Sequence, residues 1–427
     1  MPGLRYLVVA FVLLAWTPAL HADLFNQRNH LVGGRAAMMG GAYTALAEDL
    51  SAAFYNPAGL PFIDGLGLTF SISGYSYQRY VMTELLGVNQ DVVYNVRMSR
   101  FNPLPSTLAL SYAPFEGRWV ISIGAFEVDR LRFAAINNYH TTQYDDLGNP
   151  VSMDETLKIN MDTSSYLIGL ATGVRITDWC SVGFSIFYHL YQGLLDMRYL
   201  TQAADGGRAV VESANDVLSG GLVFAAGLRF NLYRYLWLGL AYRSETLHLN
   251  GDNTYAQEIQ SNIGIDAKES GTVKGDVRLP HQLTLGLAWA EPGSYTLSFD
   301  AIFYLPMDYL APNEIWNPGD INNRHREAFH FDASIGAEIE LAEKWAIRLG
   351  FYTNTSGATD FNAEDRIHLF GGTLGFAYGR RGKRFGVGIN VMGGRSGTQT
   401  SPGGDVPTRW DRLQVQIQIG GTTELLK

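Results

Sequence analysis

From Gly65 onward, apolar and polar positions alternate with a period of two. Leu413, Val415, Ile417 and Ile419 interleave with Gln414, Gln416 and Gln418, and Phe385, Val387, Ile389 and Val391 with Gly386, Gly388 and Asn390. Trp345, Ile347, Leu349 and Phe351 alternate with Ala346, Arg348, Gly350 and Tyr352. Tyr295, Leu297, Phe299, Ala301 and Phe303 alternate with Thr296, Ser298 and Asp300. Successive side chains of a strand point to opposite faces, so each segment predicts one greasy face and one polar or small face.

A soluble sandwich shares this alternation; three further features separate a barrel from it. Large aromatics (Trp237, Trp289, Trp345) stand near strand ends, as interfacial girdles do. The opposite faces carry charge at mid-strand, in Arg229, Arg243, Glu245, Asp300, Asp332, Glu338 and Arg348, and a barrel must pair these groups inside a lumen. Links also alternate in length. Pro114–Gly117, Thr177–Trp179, Asn231–Tyr235, Glu291–Gly293, Ala342–Lys344 and Gly379–Lys383 are short. Long polar stretches fall between them, such as Tyr75–Asp91, Ala134–Asn160, Asn250–Thr272 and Asp308–Arg324. Short periplasmic turns, long outer loops and an even count of about fourteen strands predict an all-β fold: a 14-stranded antiparallel transmembrane β-barrel in a Gram-negative-type outer membrane.

The N-terminus does not alternate. Arg5, an apolar run from Tyr6 to Leu20 and a small residue at Ala22 have the anatomy of a cleaved signal peptide, assigned to residues 1–22. Residues 23–64 follow as a compact block in which Gly33, Gly34, Gly40 and Gly41 permit tight turns. In it, Asp49 can cap a short helix running to Tyr55, and Asn56-Pro57 stops that helix. Such a block, ahead of a barrel spanning 65–427, has a place inside the periplasmic mouth as a helical hatch.

Composition narrows the function. The net charge of −9, with no basic stripe, argues against a nucleic-acid partner. The single cysteine, Cys180, makes no internal bridge and reads as a small residue at a turn. No apolar run after the signal is long enough for a helical span. No cofactor motif, metal-ligand spacing or catalytic constellation is found: His189 would face inward with Ser185, but four residues along a strand separate them by roughly 13 Å. The chain is therefore read as a non-enzyme without metal or cofactor.

Three stretches carry a family resemblance. Gly34-Arg35 through Gly40-Gly41-Ala42-Tyr43-Thr44-Ala45 to Asn56-Pro57-Ala58-Gly59-Leu60 resembles the N-terminal signature of the FadL/TodX outer-membrane transport proteins. Leu238–Asp252 is similar to that family's strand ending in Tyr-Arg-Ser, and Leu279–Tyr304 to its Leu-Pro strand with an aspartate-bearing partner. The resemblance implies a fourteen-stranded barrel with a hatch that holds Asn56, Pro57, Ala58 and Gly59. It implies uptake of long-chain fatty acids or aromatic hydrocarbons through a lumenal site, and lateral release into outer-membrane lipid at a kinked third strand. It also implies the barrel-assembly machinery as a partner in biogenesis, although the chain ends Thr423-Glu424-Leu425-Leu426-Lys427 and not on the usual aromatic residue. Some FadL-like barrels serve secretion or assembly instead of transport, which is the alternative reading.

The sequence carries a trace of such a kink. Trp119, Ile121 and Ile123 are greasy at odd positions, whereas from Phe126 the phase inverts, with Glu127 and Asp129 charged. A one-residue slip is the mark of a β-bulge, predicted at Gly124, Ala125 and Phe126. An anionic head group would need a lumenal cation, for which Arg229, Arg243 and Arg348 are the candidates, each also able to pair with a lumenal carboxylate such as Glu245, Asp300 or Glu338.

Overall fold

A computed structural model describes residues 25–63, 65–83, 93–101, 105–115, 117–144, 150–204, 206–262, 266–312, 322–359, 366–380, 383–396, 399–400, 407–408 and 410–426. The predicted signal peptide lies outside the described residues.

One antiparallel sheet of seventeen segments closes on itself as fourteen wall strands, because three segments continue a neighbouring strand across an interruption. The wall begins with β1 (Leu66–Thr83) and β2, which is split into Val93–Phe101 and Pro105–Phe115. Four long uninterrupted strands follow: β3 (Trp119–Tyr144), β4 (Pro150–Arg175), β5 (Cys180–Ala203) and β6 (Arg208–Tyr233). Then come β7 (Leu236–Arg243 and Leu247–Ser261) and β8 (Ala267–Lys274 and Gln282–Ala290). β9 (Tyr295–Tyr304 and Met307–Pro312) and β10 (Asn322–Glu327 and His330–Ala342) are also in two pieces. The wall finishes with β11 (Trp345–Asn354), β12 (Ile367–Arg380), β13 (Lys383–Ser396) and β14 (Trp410–Leu426). β14 pairs with β1 from Leu66↔Leu426 to Met82↔Trp410, which closes the wall into a barrel. Closure satisfies the backbone donors and acceptors that lipid cannot.

The alternation sorts as the sequence predicts. Leu413 and Ile417, Phe385 to Val391 at odd positions, and Leu297 and Phe299 are exposed, while Gln414, Gln416, Gln418, Arg229, Asp300, Asp332, Glu338 and Arg348 are buried inside. Trp119, Trp179, Trp345, Tyr233, Tyr295 and Tyr378 stand exposed at the short-turn end, where an interfacial girdle belongs. Two expectations need correction. Trp237 turns inward, with its ring 5.4 Å from that of Phe62 and under the Arg229 guanidinium, because it lies opposite the inward-facing Ala288. The stretches read as long loops are in large part strand: β3 and β4 stay paired out to Tyr144↔Pro150, so polar composition marks where the wall leaves lipid, not where it stops pairing.

The N-terminal segment from Phe25 to Ile63 packs on the inward face of the wall. It contains α1 (Gly34–Met38), α2 (Ala52–Tyr55) and a 3₁₀ turn over Pro57–Phe62. α2 ends at Tyr55 as expected, but Ser51 is its N-cap, and Asp49 instead accepts the Ser51 N–H at 2.9 Å. Wall glycines receive this segment where backbone meets backbone. Gly173, Gly183 and Gly227 are successive partners on β4, β5 and β6. A Cβ on Gly183 would sit 2.2 Å from the Pro57 carbonyl carbon, and one on Gly227 would sit 2.0 Å from Asn56 Oδ1.

Candidate functional site

The third strand carries the bulge, slightly later than the sequence places it. Pairing of β3 with β4 is unbroken through Gly124, Ala125 and Phe126 and shifts between Glu127 and Asp129. Phe126, Glu127 and Val128 are all buried in succession, and Val128 is the residue that the pairing skips. A Cβ on Gly124 would lie 2.8 Å from the Phe126 ring, which would have to shift to admit it. On the other side, among the described residues, β3 pairs with β2 only as far as Phe126↔Thr107, near Pro105, which has no N–H to extend the ladder. Glu127 is buried, accepting from Arg130 at 3.0 Å and from the Tyr166 hydroxyl at 3.2 Å.

Behind the bulge lies a narrow cavity of about 90 Å³. Val128, Leu31, Phe54, Val277, Leu279 and Ile302 supply apolar lining, and Arg28, Asp129, His189, Arg243, Asp300 and Tyr304 polar lining. His30, from the N-terminal segment, also lines it, and burial holds its imidazole below its ordinary pKa. An enclosure in which apolar side chains mix with arginines, histidines and carboxylates suits an amphipathic molecule.

Of the three arginines proposed for a head group, only Arg243 reaches this cavity. It lies 4.9 Å from the Phe54 ring centre and donates to Gln282, while its Nε has no hydrogen-bond partner among the described residues. Arg229 is engaged elsewhere: its Nε donates to the Ala45 carbonyl at 2.7 Å, Glu48 lies 3.6 Å away, and its guanidinium covers Trp237 and Phe62. Arg348 binds Glu338 at 2.6 Å, the one foreseen pairing that forms. Glu245 pairs instead with Arg278 at 2.9 Å, and Asp300 accepts the backbone N–H groups of Tyr43 and Thr44 at 2.8 and 2.9 Å. For Arg229 and Asp300 the foreseen pairs fail because the N-terminal segment brings its own acceptors and donors into the lumen, and for Glu245 because Arg278 reaches it from the interruption of β8, neither of which strand alternation can register.

Glu338 is the hub of a second space at the short-turn end, lined by Arg35, Glu48, Asp49, Arg348 and Arg384 among others. Arg35 contacts Glu338 at 2.9 Å, and Arg384 contacts the same carboxylate at 3.5 Å. Removing the carboxylate leaves three clustered cations, and breaking such buried pairs typically costs about 3–5 kcal/mol. Glu338→Ala is therefore expected to lower the urea midpoint of the inserted barrel, read by the gel shift of the heated against the unheated protein, whereas Glu343→Ala, at an exposed pair, leaves it unchanged.

Asn56 is a pin. Its Nδ2 donates to the carbonyls of Thr44 (2.8 Å) and Leu228 (3.0 Å), and its Oδ1 accepts from Ala58 N–H at 3.1 Å. Pro57 fixes the start of the 3₁₀ turn, the Ala58 carbonyl accepts from Ser181 Oγ at 2.7 Å, and Gly59 sits so close to Ala47 that no side chain fits.

His189 does meet a serine, though not Ser185. Ser165, on the neighbouring strand, lies 2.8 Å from Nε2, and Thr246 lies 3.1 Å from Nδ1. The third position of a hydrolytic triad is thus a hydroxyl, which offers no counter-charge to an imidazolium, and the trio ties β4, β5 and β7 together. Cross-strand neighbours of this kind leave no periodic trace in a single sequence.

No protein-family model and no curated protein matches the chain. Solved structures do. The toluene transporter TodX of Pseudomonas putida is 15% identical, with 93% of this chain and 100% of that one covered at a TM-score of 0.60. A FadL homologue of Pseudomonas aeruginosa is 13% identical (94% and 100% covered, TM-score 0.61), and the toluene transporter TbuX of Ralstonia pickettii 17% identical (92% and 98% covered, TM-score 0.59). Over 92 to 94% of its length, the chain has the fold of the FadL-type outer-membrane channels for hydrophobic compounds.

Proposed function

We propose that the protein is an outer-membrane channel that takes small hydrophobic molecules into the cavity behind the third strand and releases them sideways into the membrane at Val128. The N-terminal segment then acts as a hatch that closes the direct route to the periplasm. The observation that carries this reading is the coincidence of three things at one place: the inward bulge, the end of the β2–β3 ladder and the wall of the cavity. A scaffold for secretion or assembly would not require a cavity at the point where its wall opens. The cargo class is a long-chain fatty acid or an aromatic hydrocarbon, and the solved channels of the same fold named for toluene support the latter.

Arg243 separates the two. A carboxylate bound beside a guanidinium in an apolar cavity gains a charge-assisted hydrogen bond, whereas toluene gains none. In cells lacking their own transporter, Arg243→Met is expected to lower labelled oleate uptake at sub-saturating concentration about tenfold and to leave toluene uptake unchanged. Equal loss of both would remove Arg243 as a head-group site, and absence of uptake by the unaltered protein would overturn the transport reading.

A further inference from the structure

The wall is interrupted a second time, five strands further round. Between its two pieces β8 leaves the sheet, and Gly275–Leu279 folds inward on hydrogen bonds to its β6 and β7 side. Gly275 N–H donates to the Gly251 carbonyl (3.0 Å), Val277 N–H to Ser219 Oγ (3.0 Å) and Leu279 N–H to Thr246 Oγ1 (3.0 Å). Towards β9 the ladder stops. Its last backbone contact is Leu305 N–H to the His281 carbonyl at 3.1 Å, and Pro280, next along, has no N–H to give. Among the described residues, the outer piece of β9 pairs only with that of β10, and the outer piece of β8 only with β7.

The position of this break ties it to the cavity. Backbone partners run Asp129↔Ser165↔Tyr191↔Ser219↔Gly251, from the bulge of β3 round the wall to the residues that hold the β8 fold. Val277 and Leu279 line the same cavity as Val128. Outside, Leu247, Leu249, Leu305, Leu310 and Phe329 flank the break with exposed apolar side chains, so it opens at the level of the lipid-facing belt.

One side chain crosses the opening. The Arg278 guanidinium lies 5.3 Å from the Tyr309 ring centre on β9, while its backbone N–H reaches the Tyr309 hydroxyl at 3.4 Å. Asp276 fixes that guanidinium at 2.8 Å and Glu245 at 2.9 Å. Tyr309 in turn packs on His325, 5.0 Å away, and His325 stacks on Phe25 at 4.6 Å.

We propose that the inward fold of β8 at Gly275–Pro280 is a second lateral port from the cavity to the membrane, for neutral apolar molecules, latched shut by Arg278 across Tyr309. Once the latch lifts, an apolar molecule leaving the cavity passes between Leu279 and Leu305 without meeting a continuous ladder. The inference rests on the cavity being a route for such molecules, and its test has a readout that does not need transport.

In a Cys180→Ser background, Val277→Cys carries a bimane fluorophore in full-length protein reconstituted into liposomes. Quenching by brominated acyl chains reports contact with lipid, and quenching by iodide reports contact with water. Adding Arg278→Met is expected to raise bromolipid quenching about tenfold, as loss of a charge-assisted latch shifts a two-state gate, with no rise at a control label on Thr284→Cys. Asp276→Asn, which loosens the guanidinium without removing it, is expected to fall between; it is the deciding variant if Arg278→Met does not insert. Unchanged quenching, or a rise with iodide alone, would overturn the port. With Val128 deleted, toluene flux through the Arg278→Met protein should recover. If quenching responds while no variant carries toluene, it is the transport reading that fails, and the port stands as an opening.

Discussion

Deleting Val128 is expected to reduce uptake of toluene and oleate to the background of cells without the protein. The bulge exists because one extra residue stands between Glu127, opposite Tyr166, and Asp129, opposite Ser165. Without that residue Glu127 and Asp129 become neighbours opposite neighbours, the β3–β4 register runs straight, and the local bend is lost. Phe126, whose ring lies 5.9 Å from Phe187 and 6.0 Å from Phe54, then fills the space toward β2. The control is Val128→Ala, which keeps the extra residue and should retain most of the uptake. If the deletion variant transports as well as the parent, cargo does not leave by the third strand.

Gly183→Leu should detach the N-terminal segment and turn a closed barrel into a leaky one. Gly183 lies under the Pro57–Ala58 peptide, and even its first carbon would overlap three backbone atoms of that peptide at 2.2 to 2.4 Å. Backbone cannot rotate away as a side chain would, so the segment must lift. The neighbouring anchors on β5, Ser181 to the Ala58 carbonyl and Ser185 to the Ala53 carbonyl, are strained with it. Overpacking of this sort typically costs about 1–3 kcal/mol, enough to lift the Pro57–Phe62 turn from its seat on β5 while the fourteen-stranded wall persists. Planar-bilayer conductance should rise, and chymotrypsin should cut at Phe54 or Tyr55 in the folded protein. Gly372→Ala, whose added carbon would come no closer than 3.9 Å to any neighbour, should do neither. A silent bilayer with Gly183→Leu would mean that the segment does not set the lumen's conductance.

The two predictions meet the sequence in different ways. The bulge was legible as a slip in phase, because an extra residue reverses which positions are apolar; the slip fixed its neighbourhood but not its residue. Phe126 keeps an inward position on either side of the slip, so only pairing partners single out Val128. The glycine seats were not legible at all. Gly173, Gly183 and Gly227 look like the weak points of three strands, and their purpose depends on a peptide more than a hundred positions away.

Alternation and link length determined the class of fold, the lipid-facing and lumenal sides of most strands and the closed wall, because these follow from a two-residue period read against lipid on one side. They could not assign the lumen. Inside a closed wall, each polar group takes its partner from whatever else is enclosed, and that is set by how the chain returns on itself. Arg229 holds the carbonyl of Ala45, 184 residues away, and Asp300 holds the amides of Tyr43 and Thr44, so tertiary structure alone decided that Arg243, of the three lumenal arginines proposed, faces the cavity.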